Sequence, residues 1–259
     1  MLKVGLVFKE ENKEIAKAAK ELKAKLKEKK IRIVTNEKEI SSTTFVISVG
    51  GDGTILRANR LVCEAGVPIL GVHFGGVGFL NEVEYRDVLP AITKIAKEDY
   101  SIDERMMIEA WVGDSPIEAL NDIVISNSKI ARTLKLDVFA VRKLVGTYNA
   151  DGLILSTATG STAYNFSAGG PIIEPISKSI ILTPICPHIK AQRTVVIEEE
   201  PIRVKISGRH DAIVTADGQT TLSVSKGQEV VIRRAKRIAR FIRLKEYDFY
   251  SLVRRKLHW

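Results

Sequence analysis

The sequence predicts a chain in two parts: an N-terminal α/β domain with a wound parallel sheet, then a domain made mostly of β-strands. Three observations carry this. Through the first hundred residues, short apolar runs rich in Val and Ile alternate with helical patterns, the signature of a sheet wound with crossover helices. From about residue 102 the hydrophobic period becomes that of strands. At 259 residues and 45% hydrophobic content, the chain can bury one large core or two modest ones.

Val4, Leu6 and Val7 open the first strand. In ENKEIAKAAKELKAKLKEKK, Ile15, Ala18, Ala19, Leu22 and Leu26 fall on one helical face with Lys and Glu around the rest, which predicts a solvated amphipathic helix. IRIVTN and TTFVISVG read as strands, TILRANRLVCEAG as a helix ended by Gly66, and VPILGVHF as a strand after Pro68. RDVLPAITKIAKEDY adds a helix, with Pro90 the one feature against a long uninterrupted one. The α/β domain so defined ends near residue 98. RMMIEAWV, IEALNDIVIS, LKLDVFAV and VGTYNADGLILST then read as strands. After an interruption at 160–190, Ile202, Val204 and Ile206 alternate, ADGQ at 216–219 marks a turn, and LSVSKGQEVVIR follows.

No stretch approaches the ~20 uninterrupted apolar residues of a membrane span, and MLKVGLVFKE carries a charge before any signal-like run develops, so a cytoplasmic protein is expected. Cys63 and Cys186 lack neighbours at ligand spacing and read as reduced packing residues. The formal net charge is +9, of which +8 falls in residues 233–259. In IRRAKRIARFIRL apolar residues interrupt those charges, as in a segment packed along one side, and no nucleic-acid-binding motif accompanies them.

Three segments carry chemistry. Gly50-Gly51-Asp52-Gly53-Thr54 lies between an apolar strand and a helix, the arrangement in which backbone amides at a helix start reach an anion unobstructed by Cβ atoms. An acid there repels phosphate unless it holds a cation or takes a proton from an attacking hydroxyl; the alternative is that Asp52 only caps a helix beginning at Thr54. A second cluster, Gly75-Gly76-Val77-Gly78, follows the next strand, and two parallel strands ending in such loops would set both on one rim. Asp151-Gly152 and the hydroxyl-rich Thr159–Pro171 form the third, with Tyr164 available to stack on or hydrogen-bond a base or ribose. Ser161 or Thr162 as a helix N-cap accounts for one of its hydroxyls. His188, set among prolines and apolar residues, reads as a buried structural histidine.

GGDGT at 50–54, HFGGVGFLN at 73–81, the Asn-acid pair at 121–122, TGSTAYNFSAGGPI at 159–172, Thr183–His188 and Asp217-Gly218-Gln219 together resemble the NAD kinase family, in the same order and over most of the chain. GGDGT alone is shared with lipid kinases and approximately with phosphofructokinases; TGSTAYNFSAGGP discriminates. The resemblance implies a Rossmann-like parallel sheet, a β-sandwich-like second domain, and a C-terminal segment that packs back on the first. The expected division is then 1–98 with about 240–259, and 99–239.

It also implies an enzyme that phosphorylates the adenosine ribose 2′-hydroxyl of NAD, with ATP or polyphosphate as donor, Mg2+ or another divalent ion, and a homodimer or homotetramer without nucleic-acid or membrane partners. Asp52 becomes the proton acceptor or a ligand organising the metal, and Gly53 gives backbone access. Asn121 and Asp122 match an Asn-Glu pair, Asp151 an acid that binds NAD, and Thr162, Ala163, Tyr164, Asn165 and Ser167 an adenosine pocket. Arg57, Arg132, Asn149 and Gln219 sit where the family has NAD contacts. The rivals are a lipid or sugar kinase on the same motif and a non-catalytic nucleotide sensor.

Overall fold

A computed structural model of the chain describes residues 2–76, 78–128, 133–189 and 192–258. It divides into two compact units, Met1–Arg105 with Arg237–Trp259, and Met106–Lys236.

The first unit is built on parallel strands. β1 (Lys3–Phe8), β2 (Arg32–Val34), β3 (Phe45–Val49) and β4 (Ile69–His73) stand in the order β2-β1-β3-β4, and short β5 (Val83–Glu84) pairs with β4. All five residues of β3 are buried, as a central parallel strand covered on both faces requires. Helices α1 (Lys13–Glu28), α2 (Asp52–Val62) and α3 (Val88–Ala96) provide the cover. In α1 the buried residues are the five apolar ones at helical spacing, and Asn12 caps it by accepting from the amides of Glu14 and Ile15. Gly66, at φ 65°, ends the turn after α2. Pro90 lies in the first turn of α3, where its missing N–H costs no intrahelical bond.

The second unit is a sandwich of antiparallel strands, its boundaries falling within β6 (Ser101–Val112) and β17 (Glu229–Arg243). One sheet has the order β13-β12-β11-β8-β15-β16, from β8 (Asp122–Asn127), β11 (Gly152–Ser156), β12 (Ile180–Ile185), β13 (Val195–Ile197), β15 (Ala212–Ala216) and β16 (Thr220–Val224). The facing layer holds β9 (Leu134–Ala140), β10 (Lys143–Ala150), β14 (Ile202–Ile206) and the first half of β17, while β7 (Ser115–Ala119) pairs with β6. Alternating residues of both layers, among them Ile125, Leu136, Leu153, Val204, Val214 and Ile232, make one core. A short α4 (Tyr164–Ser167) follows β11.

Two runs with strand period each pass from one sheet to the other. IEALNDIVIS divides into β7 and β8 at Leu120-Asn121, and VGTYNADGLILST into β10 and β11 at Asp151. Residues at both breaks belong to the expected site.

The end of β17 returns to the first unit, where Phe241 pairs with Ile69 of β4 and α5 (Phe249–Leu257) follows. The basic run is largely neutralised within each unit: Arg233 bonds Glu109, Arg234 bonds Glu200, Arg237 bonds Glu64 and Arg240 bonds Glu104. Among the described residues no helix is long and apolar enough to cross a membrane.

Candidate active site

In the first unit, β3 and β4 are parallel neighbours, so the loops that follow them lie at one sheet edge. Helix α2 starts at Asp52 rather than Thr54. Gly51 is its N-cap, and no side chain caps it, so capping does not explain the acid. The Asp52 carboxylate instead reaches across to the second glycine loop. Oδ2 accepts from the amide of Phe79 at 2.9 Å, and Oδ1 accepts from the amide of Leu80 at 3.1 Å and from Asn81 Nδ2 at 3.3 Å. Such a ring of donors fixes the direction of the carboxylate, leaving one acceptor position on Oδ2 among the described residues.

The glycines of this edge serve two purposes. A Cβ on Gly78 would stand 2.1 Å from Asp52 Oδ1, so Gly78 makes room for the carboxylate. Around Gly51 and Gly53 a Cβ would meet nothing within 4 Å among the described residues. Packing does not require glycine at either position, and at Gly53, inside the first turn of α2, glycine is a less stable choice than alanine. Their bare backbone suits a ligand approaching from outside, as phosphate does at a helix start. Arg57, on α2, has its guanidinium engaged by Glu37 at 2.5 Å.

In the second unit, Asp217 organises the break at Leu120–Asp122. It stands at φ 50° in the turn after β15. Its carboxylate accepts from the amides of Leu120, Asn121 and Asp122 at 2.9, 2.7 and 3.2 Å. Its own amide donates to Asp122 O at 3.0 Å. On the other side, Thr157 donates through its amide to Asn121 O at 2.9 Å and through Oγ1 to Leu120 O at 2.6 Å. A Cβ on Gly160 would lie 2.1 Å from Asn121 O, so the TGST turn packs directly on this backbone. Among the described residues, no hydrogen bond engages the side-chain amide of Asn121 or the carboxyl of Asp122.

Asp122 is only 5% exposed, and burial, with Asp217 beside it, pushes its carboxyl up to about 7. Asp217 is raised as well, burial outweighing the three amides that favour its anion. At neutral pH the pair holds a proton for part of the time, and Asp122 then becomes a hydrogen-bond donor.

The hydroxyl-rich segment sorts into scaffold and surface. Ser161 and Thr162 belong to a tight turn, Thr159–Thr162, and α4 begins after Ala163 with no side-chain cap, so neither hydroxyl is an N-cap. Asn165, expected to contact ligand, is fully buried: Nδ2 donates to Ser161 O and Pro171 O, and Oδ1 accepts from Thr183 Oγ1 at 2.7 Å. It shapes the loop and offers no face outward, because its polar atoms are taken by two backbone carbonyls and the Thr183 hydroxyl. Tyr164 is 45% exposed, Ser167 is exposed, and Thr162 and Ala163 are partly open.

Asn121, Asp122, Gln219 and the Thr162–Tyr164 stretch therefore share one end of the six-stranded sheet. Asn149 and Asp151 do not. Ser156 pairs with Asp122 and Gly152 with Ser126, which puts Asp151 at the opposite end of β11, about 17 Å away at ~3.4 Å per residue. Arg132 lies outside the described residues.

His188 and Cys186 are exposed rather than buried. β12 ends at Ile185, the chain leaves the sheet with Cys186 at φ 46°, and the His188 amide bonds Asn149 O at 2.9 Å. Cys63 is buried, and both thiols are free. Thr157 carries no signal in the sequence, and Asp217 is part of a quoted motif but has no role assigned from sequence. The Asp-Gly-Gln turn was the available signal for Asp217.

Known proteins match both halves of the chain. The family model described as ATP-NAD kinase N-terminal domain matches residues 4–100, and that described as ATP-NAD kinase C-terminal domain matches residues 120–244. A curated NAD kinase of Moorella thermoacetica is 44% identical over 227 residues, covering 85% of this chain and 73% of that protein. The crystal structure of an NAD kinase from Archaeoglobus fulgidus in complex with ATP superposes with a TM-score of 0.84 at 27% identity, covering 99% of both chains. Yeast NADH kinase complexed with NADH shares the fold, with a TM-score of 0.89 at 23% identity over 100% of this chain and 88% of that one. With both halves matched and the glycine-loop carboxylate in place, the chain belongs to the NAD kinase family of phosphotransferases.

Proposed function

We propose that the chain transfers a phosphoryl group from ATP or polyphosphate to the adenosine ribose 2′-hydroxyl of NAD, with Asp52 receiving the hydroxyl proton. The observation that carries this is the clamped carboxylate: a carboxylate held by three donors beside Gly51 and Gly53, where no side chain obstructs an approaching phosphate. A ribose hydroxyl is a weak nucleophile, and the site must align it and take its proton as the bond to phosphorus forms. Asp52 has one position on Oδ2 for that proton. We assign the adenosine end to Asn121, Asp122, Gln219 and Tyr164, which share one end of the six-stranded sheet, Tyr164 by stacking and Asp122 by donating or accepting according to pH.

Among the described residues, no three His, Cys, Asp or Glu side chains form a metal-holding cluster. This fits Mg2+, which is commonly bound by substrate phosphates with one or two carboxylates rather than by a protein cage. Asp52 is such a carboxylate, at the start of α2 between Gly51 and Gly53. When bound, the ion would neutralise charge on the transferring phosphoryl group.

Asp151 lies at the far end of β11 from Asp122, about 17 Å away at ~3.4 Å per residue. If Asp151 serves the same adenosine, it does so from a second copy, which supports the homodimer or homotetramer that the family resemblance implies. Light scattering that returns a monomer at assay concentration would refute the assembly.

The activity test is a donor panel scored for NADP formation, with a sphingoid base, diacylglycerol and a sugar phosphate as alternative acceptors. Asp52→Asn should keep NAD affinity within a few fold and lower turnover about 100- to 10,000-fold. Unchanged turnover would remove Asp52 from the chemistry, and NAD binding without NADP from any donor would favour a sensor.

A further inference from the structure

The donors that hold Asp52 stand on a short stretch of chain, and that stretch is itself held from behind. Tyr247 donates its hydroxyl to Phe79 O at 3.4 Å, and Lys256 lies 5.9 Å from the centre of the Phe79 ring. Arg243 Nη1 approaches Leu80 O at 3.5 Å and bonds Glu82 Oε2 at 3.2 Å, while the amide of Leu244 donates to Glu82 Oε1 at 2.9 Å. Residues 79, 80 and 82 are thus each tied to the C-terminal segment, on either side of Asn81. Arg243 is fixed in turn. Its Nε and Nη2 bond Asp103 at 3.0 and 2.9 Å, and its guanidinium stacks 4.4 Å from the Tyr247 ring centre. The Arg243 and Glu82 side chains are 2% and 4% exposed, so this is a buried, multiply bonded charge pair rather than a screened surface one.

We infer that Arg243 is a positioning residue for Asp52: through Glu82 and the Phe79–Leu80 backbone, it and Tyr247 set where the carboxylate points. This rests on the catalytic reading of Asp52. A guanidinium reaches two carboxylates and a carbonyl at fixed angles, which a lysine ammonium does not reproduce. A displacement of about 1 Å in a proton acceptor is enough to slow turnover while leaving substrate binding alone.

The test compares Arg243→Lys, Tyr247→Phe and, as control, Arg240→Gln, which removes an exposed pair on the same strand. Each is measured for kcat, KM for NAD, melting temperature and amide hydrogen exchange over residues 78–82. Arg243→Lys is expected to lower kcat about tenfold or more, and Tyr247→Phe about two- to fivefold, with KM for NAD within about twofold and faster exchange at Phe79 and Leu80. Arg240→Gln should match the parent. In an Asp52→Asn background the Arg243 and Tyr247 effects on residual turnover should vanish, because the group they position is gone. Folded variants with parental kcat, or losses that add fully to that of Asp52→Asn, would overturn the inference. If Arg243→Lys fails to fold, Tyr247→Phe, which loses one hydroxyl, carries the test alone. Retained turnover in Asp52→Asn by itself would remove the reading beneath it, a separate outcome.

Discussion

The carboxylate of Asp52 occupies the space in which a side chain at Gly78 would stand, 2.1 Å from Oδ1 to the position of a Cβ. Gly78→Ala must therefore push the carboxylate off its Phe79 and Leu80 donors. The expected result is a fall in kcat of about 100-fold with a folded protein, since the clash falls on a side chain that can move. Steady-state kinetics alongside thermal melting checks it, and parental kcat would show that the clamp does not matter.

Gly53 makes the opposite case. A Cβ there meets nothing within 4 Å among the described residues, and Gly53 lies in the first turn of α2, so alanine should stabilise the fold by roughly 0.5–1 kcal/mol. Activity should nonetheless drop about tenfold or more, through a weaker donor-phosphate site. A variant both more stable and fully active would mean that no ligand backbone or phosphate comes close to this glycine.

The buried acid pair predicts a pH dependence. Burial and Asp217 raise Asp122 to about 7, above the ordinary carboxylate value of ~3.9, so the folded state keeps a proton that the unfolded chain releases. Stability from this group is fully present below about pH 4 and is lost as pH rises through about 7. Asp122→Asn should remove that loss, gaining stability over the parent between pH 5 and pH 8 by up to about 4 kcal/mol. Urea unfolding at the two pH values measures it. A pH-independent difference would mean that Asp122 titrates normally.

Tyr164 is 45% exposed, on the outer side of the loop that Asn165 ties together. Its truncation to Ala should leave the melting temperature nearly unchanged and raise KM for NAD about 5- to 100-fold, the range expected for losing one aromatic stacked on a base. An increase confined to KM for ATP would place Tyr164 on the donor instead.

Much of this was legible from residues near one another in the chain. Strand, glycine turn and helix around Asp52 follow from local period and turn chemistry. So do the face of α1, the end of its successor at Gly66, and the β15–β16 turn at 217–219. The resemblance of the motifs then named the chemistry, because motif order survives in one dimension.

What the sequence could not decide was which polar groups face a ligand and which face the protein. Asn165 and Tyr164 are neighbours with the same local character, yet one is fully buried and the other open, because the backbone from Ser161 to Pro171 closes around the amide. Asp217 holds amides about a hundred residues away, Asp52 holds amides 27 and 28 residues away, and Arg243 braces a loop more than 160 residues upstream. Periodicity reports only whether a residue turns inward. The partner it meets there is set by which strands are neighbours and in what register, and those relations exist only once the chain has folded.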